Sequence, residues 1–528
     1  MIEFIFWYLV VTLIGLAAFP LLFTLLPGLP GRGYGFSRAA GLLLWGYGYW
    51  LLASFNLTLN DLGGAVLAFG ALVLLGVWAW RREGQEAVRT WASRNRGHII
   101  AVEVLFLGGF ALWALVRSAN PELFGTEKPM ELAFINAILK SPELPPRDPW
   151  LSGYAISYYY FGYLMTASLA RLTGVLGSVA FNLAISMVFA MGAVGAYTLV
   201  YDILSAGKSD ERAGDGERGA QNLVARRAIQ PFALLAPVFV LVLSNLVGLL
   251  EVLHARGVLW FRDAAGELTS PVWQWIDLQE LSRPPSEPFG WLPRNFGVGS
   301  WWWWRASRVV QDYDLGGNWR EVIDEFPFFS FLLGDLHPHV LAIPFVFLGM
   351  ALALNLYLGG ASGRFRVLGF RANLSLPSFL FAAVILGGLA FLNIWDFPTF
   401  LILFAAAYAL MQINRYGMAW RRLGEFFGIL LLSGVAGYLV YLPWHLSFAS
   451  QARGILPNLV YPTRGVHLWI MFGLFLVPLF GFLIYCYKNW GSRSMFFRGT
   501  LFSAGMLAGL FLFSILLGAI ILGFSALP

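Results

Sequence analysis

Thirteen apolar runs constrain this chain more than anything else in it, each close to the roughly 20 residues an α-helix needs to cross hydrocarbon. They fall at about 2–26, 37–57, 62–80, 99–117, 154–172, 177–204, 230–253, 338–358, 376–392, 397–413, 425–446, 467–487 and 499–525. Backbone in lipid must satisfy its N–H and C=O groups internally, so runs of this length are read as helices. Composition agrees: 58% of the 528 residues are apolar and 12% are charged, against about 25% charged in ordinary soluble domains. The expected fold class is therefore an all-α polytopic membrane protein. Run 2–26 is too long and apolar for a secretory signal and no positive cluster precedes it, so it is expected to stay as a membrane helix. Cys486 stands alone, which excludes an internal disulfide and a cysteine-based metal site.

The formal charge of +6 asks for a topological explanation before a nucleic-acid one, and no nucleic-acid partner is expected. If all thirteen runs cross, the basic set Lys208, Arg212, Arg218, Arg226 and Arg227 lies on the side opposite Arg81–Arg96, against the positive-inside bias. Letting 154–172, YAISYYYFGYLMTASLARL, lie at the outer interface repairs this. Arg32 and Arg38, the two sets just named, Arg364–Arg371, Arg415–Arg422 and Lys488–Arg498 then share the inner side. The expectation is about twelve spanning helices in the cell membrane with both termini outside, and Tyr158, Tyr159 and Tyr160 at headgroup depth.

Two long segments, 118–153 and 254–337, then lie on the outer face. The second is rich in tryptophan (Trp260, Trp273, Trp275, Trp291, Trp301–Trp304, Trp319), a composition that packs or sits at an interface and is not that of a disordered chain. The inner stretch GKSDERAGDGERG, 207–219, reads as a solvated linker. The chain divides on this basis into N-terminal helices 1–98, a segment 99–204 holding the first outer loop, a cytoplasmic linker 205–229, and the remaining bundle 230–528 with the aromatic loop.

Ionisable residues are sparse, so their placement is informative. In GTEKPMELAF, 125–134, a helix starting near Pro129 puts Glu131 in its first turn and Glu127 just ahead of it. Acids at that end suit the macrodipole, and they are also candidates for a catalytic carboxylate. Arg147 follows in the proline-fixed turn PPRDPW. In GDLHPH, 334–339, Pro338 suits a first helical position, which gathers Asp335, His337 and His339 around a helix N-terminus. Such a group could bind a divalent ion, orient a phosphate or move a proton; structurally, Asp335 could simply cap the helix. NIWDFP, 393–398, sets Asn393 and Asp396 in a tight turn, and YPTRG, 461–465, supplies Arg464 for an anionic ligand. WWWWR, 301–305, reads mainly as an interfacial anchor, and Glu325 is a weaker member of the acidic group. All these groups are expected to meet in one outer pocket.

YYYFGY (158–163), EFPFFSFLLGDLHPH (325–339) and NIWDFP (393–398) resemble a family of uncharacterised bacterial and archaeal integral membrane proteins named for the YYY motif, from about Phe110 to His467. More distantly, a spanning helix followed by an outer loop with an early acid, a Pro-rich turn and a tyrosine-bearing juxtamembrane helix is similar to the GT-C glycosyltransferases. That resemblance implies a GT-C-like bundle of about twelve helices with juxtamembrane helices in two large outer loops. It also implies a polyprenyl-phosphate-linked sugar donor, with membrane lipids as the surroundings. It puts Glu127 in the place of the catalytic acid and Tyr158–Tyr160 on the juxtamembrane helix. This chain departs from the pattern in having Lys128 where many members carry a second acid, and in its three extra helices before the core. The outer-face cluster itself offers Asp335 as the second candidate base and, as candidate substrate contacts, Glu131, Arg147, Tyr158, Tyr159, Tyr160, His337, His339, Asn393, Asp396 and Arg464. Asp335, His337 and His339 are the ligands for any metal. A transporter or lipid flippase, and a non-catalytic scaffold, stand as alternatives from other classes.

Overall fold

The computed structural model describes residues 1–206, 229–293, 302–313, 317–367, 369–449 and 463–525. The linker 207–219, the whole basic set Lys208, Arg212, Arg218, Arg226 and Arg227, Trp301, and Tyr461 and Pro462 of YPTRG lie outside the described residues. The principal helices are α1 (Ile2–Leu25), α2 (Ser37–Ser54), α3 (Leu62–Glu83), α4 (Arg96–Ala119), α5 (Lys128–Lys140), α6 (Phe161–Thr173) and α7 (Gly177–Ala206). They continue with α8 (Pro338–Tyr357), α9 (Leu376–Leu392), α10 (Asp396–Tyr416), α11 (Arg421–Val440), α12 (Gly465–Trp490) and α13 (Arg493–Ser525). Among the described residues the only sheets are three two-stranded hairpins.

Nine of these helices are long and apolar enough to span a membrane: α1, α3, α4, α7, α8, α10, α11, α12 and α13. Of the other three expected crossings, two fall short, and the third, 230–253, passes only as a bent pair of helices that would make a tenth span. α2 has 18 residues and interrupts its apolar residues with Arg38, two serines and three glycines. α9 has 17 residues, about 25 Å at 1.5 Å per residue. The run 230–253, expected as one helix, passes through a π-helical turn at Val238–Val242 and is interrupted before the helix Val247–Ala255. At the break Asn245 donates to the Ala306 carbonyl (2.5 Å) and accepts from Val247 N–H (3.2 Å), so its side chain satisfies backbone that no longer continues a helix.

The chain forms two compact units, Met1–Val242 with Phe331–Ser450, and Leu243–Ser330 with Gln451–Pro528. In the first, α7 is the centre: 89% of its apolar window is buried, as expected of a helix that is hydrophobic all round. It packs most extensively on α4 and also on α8, which in turn packs on α9 and α10. Small residues allow these approaches. A methyl on Gly195 would stand 2.9 Å from the Phe347 side chain, and one on Gly76 of α3 would overlap the Ala17 carbonyl of α1. Arg38, treated from sequence as an inner-loop charge, is buried and pairs with Glu103 of α4 at 2.5 Å.

The tyrosine segment departs from expectation. Only its second half is helical, and α6 is about 20 Å long, too short to cross. Its helix is a core element, whereas Tyr154 at the start of the segment is exposed and Tyr158 and Tyr159 are partly buried. Tyr160 is 1% exposed, lies edge-on to Phe391 at 4.8 Å, and its hydroxyl accepts from Trp50 Nε1 (3.2 Å). The ring that suited a headgroup by its amphipathic character finds the same pairing of apolar wall and polar partner inside the protein.

In the second unit, Trp260, Trp273, Ile276 and Val309 form a buried cluster with Ile470 and Met471 of α12, so much of the aromatic segment is packed core. α13 buries none of its apolar window.

Candidate functional site

The first unit brings four of the expected ionisable groups together. Pro129 falls in the first turn of α5, and Glu127 occupies the position just before the helix. Glu131, one turn on, is completely buried. Its Oε2 accepts from Leu336 N–H at 2.8 Å, which docks the start of α5 on the strand-like segment ahead of α8. His337 ends that segment in an extended conformation and Pro338 begins α8 without an amide to leave unpaired.

His337 is the junction. Its Nδ1 lies 3.0 Å from Glu131 Oε1 and its Nε2 lies 2.8 Å from Glu127 Oε2. Both ring nitrogens facing carboxylates fit an imidazolium, which donates twice. Burial by itself works against the charged ring, but the hydrogen bond and charge of Glu131, with Glu127 and Asp335 behind it, prevail and raise its pKa to about 9. Burial pushes Glu131 upward too, opposed by His337 and the Leu336 amide.

Asp335 does not cap α8. Its Oδ1 accepts from the Thr126 hydroxyl at 2.7 Å, and burial raises its pKa to about 6. Two cations stand beside it that the sequence did not single out as site residues. Lys128 is 4% exposed, and burial lowers its pKa while Asp335 draws it back. Arg117, in the last turn of α4, is 3% exposed and donates from Nε to Asn182 Oδ1 (2.9 Å). Gly334 makes room for it: the backbone there has φ +79°, and a Cβ would run into the Arg117 guanidinium. Three acids and three bases thus balance in one small volume, and only the Thr126–Glu127 edge is well exposed. Tyr158 and Tyr163 border the cluster, and burial followed by the Glu127 and Glu131 charges raises both phenols.

The remaining expected residues lie differently. His339 is exposed, with its ring centre 5.3 Å from that of His337. Tyr159 packs on Phe448 and Trp444. Arg147 is exposed on the proline turn, its N–H held by Ser141 Oγ (3.0 Å). Asn393 donates to Asp396 Oδ2 (3.1 Å), a turn closed on itself. Arg464 belongs to the second unit, where it pairs with Asp277 (2.7 Å) and donates to the Trp275 carbonyl (3.1 Å). Glu325, also in the second unit, accepts from Ser330 Oγ (2.8 Å). Among the described residues no group of three His, Cys, Asp or Glu side chains is disposed to hold a metal ion, Asp335, His337 and His339 included.

The linkage of His337 gives a pH signature. A base whose pKa is raised on folding stabilises the fold fully below its unfolded value near 6.5, and that stability is lost as pH rises through about 9. The melting temperature is expected to fall across that window, and to fall less in His337→Gln, as followed by intrinsic fluorescence.

Long apolar helices around a compact set of buried charges define a multi-pass helical membrane protein. The chain matches, over residues 44–527, the family described as "Uncharacterized membrane protein (DUF2298)", and it belongs to that family. No protein of curated function matches it. No solved structure matches it either.

Proposed function

We propose that this protein is a membrane glycosyltransferase that moves a sugar from a polyprenyl-phosphate donor to an acceptor hydroxyl on the extracytoplasmic face of the cell membrane, with inversion at the anomeric carbon. The observation that carries this reading is the setting of Glu127: its side chain is 55% exposed, and it is gripped by a histidine whose other nitrogen faces a fully buried carboxylate. Glu131 fixes His337, and His337 fixes Glu127, which leaves one oriented carboxylate at the edge of the cluster. Asp335, at 4% exposure and bonded to Thr126, is the less accessible acid.

In the proposed reaction Glu127 takes the proton of the acceptor hydroxyl as its oxygen attacks the anomeric carbon. The bond from that carbon to the phosphate oxygen breaks, its electron pair leaves on the carrier phosphate, and the proton stays on Glu127 until water removes it. Lys128 and Arg117 supply positive potential to the departing phosphate, because Arg464 is already held by Asp277. A transporter is the second reading, favoured by the interrupted helix at Asn245, since broken helices carry substrate sites in many transporters.

The test uses the full chain in proteoliposomes with a polyprenyl phosphate carrying a labelled hexose and a mixture of acceptor glycans and peptides. The expected result is labelled acceptor with one equivalent of free polyprenyl phosphate. Label that crosses the bilayer still attached to its carrier would overturn the enzyme in favour of the transporter.

A further inference from the structure

The second unit contains a cavity of about 280 Å³, room for on the order of nine waters at about 30 Å³ each and at the small end of ligand sites. Its polar wall is built around Arg305, which Glu251 holds at 2.7 Å and Glu280 holds from the other side. The Glu251 side chain is 3% exposed, so a buried carboxylate anchors the wall, while Glu280 at 55% reaches the opening. His254 is fixed as well: its Nε2 sits 2.8 Å from the Arg283 carbonyl and its ring lies edge-on to Trp273 at 5.2 Å. Pro284 and Pro285 add an apolar edge.

The charges select the ligand class. Glu251 and Glu280 are matched by Arg305 and Arg283, so an anion and a cation each gain little from the cavity as a whole. What remains is acceptors next to planar donors, beside a C–H surface. Carboxylate and guanidinium pairs address neighbouring hydroxyls, which both donate and accept, and proline edges suit the apolar face of a pyranose ring. We propose that this cavity binds one uncharged, hexopyranose-sized saccharide unit, with its hydroxyls between Glu280, Arg283 and Arg305. The inference goes beyond sugar transfer at Glu127 and does not depend on it.

The test uses the full chain in lipid nanodiscs, free of glycosidic detergent, titrated with methyl hexopyranosides and methyl N-acetylhexosaminides by saturation-transfer NMR. At least one glycoside is expected to bind saturably in the millimolar range, with its 6-phosphate at least about tenfold weaker. Glu280→Gln is expected to weaken binding at least about tenfold at unchanged near-ultraviolet dichroism, and Glu127→Gln to leave it intact. Arg283→Ala, at an exposed side chain that lines the cavity, provides a second variant with the same expected loss. No saturation by any glycoside at tens of millimolar, or unchanged binding in both cavity variants, ends the proposal. Tighter binding of the 6-phosphate would make the cavity an anion site and end it too.

Discussion

Replacing Glu127 with glutamine is expected to lower sugar transfer by about 10²–10⁴-fold, the range general-base catalysis supplies. Glutamine keeps the length and shape of the side chain and one carbonyl oxygen for His337, but it takes no proton from an acceptor hydroxyl. Because the side chain is half exposed, the fold loses little; the protein should express, insert and melt close to the parent. The loss should appear in kcat with KM almost unchanged, since the glutamine still fills the acceptor edge. Asp335→Asn gives the comparison. That carboxylate is buried against Thr126, so its amide is expected to cost far less in rate and more in stability. If the ranking inverts, with Asp335→Asn inactive and Glu127→Gln active, the base is Asp335 and the exposed carboxylate serves only to hold the imidazole.

The parts of this molecule that the sequence discloses are those where local chemistry decides. Apolar runs give the positions of α1, α3, α4, α7 and α8 within a few residues, because lipid leaves the backbone no other arrangement. Pro129 and Pro338 mark where α5 and α8 begin, and these two starts carry Glu131 and Leu336 toward each other across 205 positions of chain, with His337 next to Leu336. Other features depend on partners that are distant in sequence. Whether Tyr160 meets lipid or Phe391 is invisible in YYYFGY, since both offer an apolar surface. Arg117 and Lys128 read as the end of one helix and the start of another, and only the fold sets both beside Asp335. Arg464 looks unclaimed in its motif because the acid that holds it, Asp277, lies 187 positions away. The break at Asn245 leaves little trace in a long apolar run: Ser244 and Asn245 are adjacent polar residues there, with Pro237 about two turns ahead.

The second large effect is expected at Glu131, where the proposed catalysis and the stability of the fold share one side chain. Glu131→Ala removes the charge facing His337 and the acceptor for Leu336 N–H together, in a site with no exposure to water. Taking one partner from a buried pair costs about 3–5 kcal/mol, because the remaining charge is left uncompensated. Glu131→Gln separates the two losses, since its carbonyl still accepts from Leu336 while the negative charge is gone. It should therefore recover part of the stability and little of the activity, because an imidazole without its buried counter-charge is less able to stay protonated against Glu127. A double-mutant cycle with His337→Gln, read by denaturation of the full chain in nanodiscs, is expected to give a coupling of about 0.5–3 kcal/mol at pH 7. The coupling should shrink as pH rises through about 9, where His337 loses its proton. A coupling near zero at neutral pH would mean that Glu131 only pins the Leu336 amide, and the chain of contacts from the core to Glu127 would then have no electrostatic link at its centre.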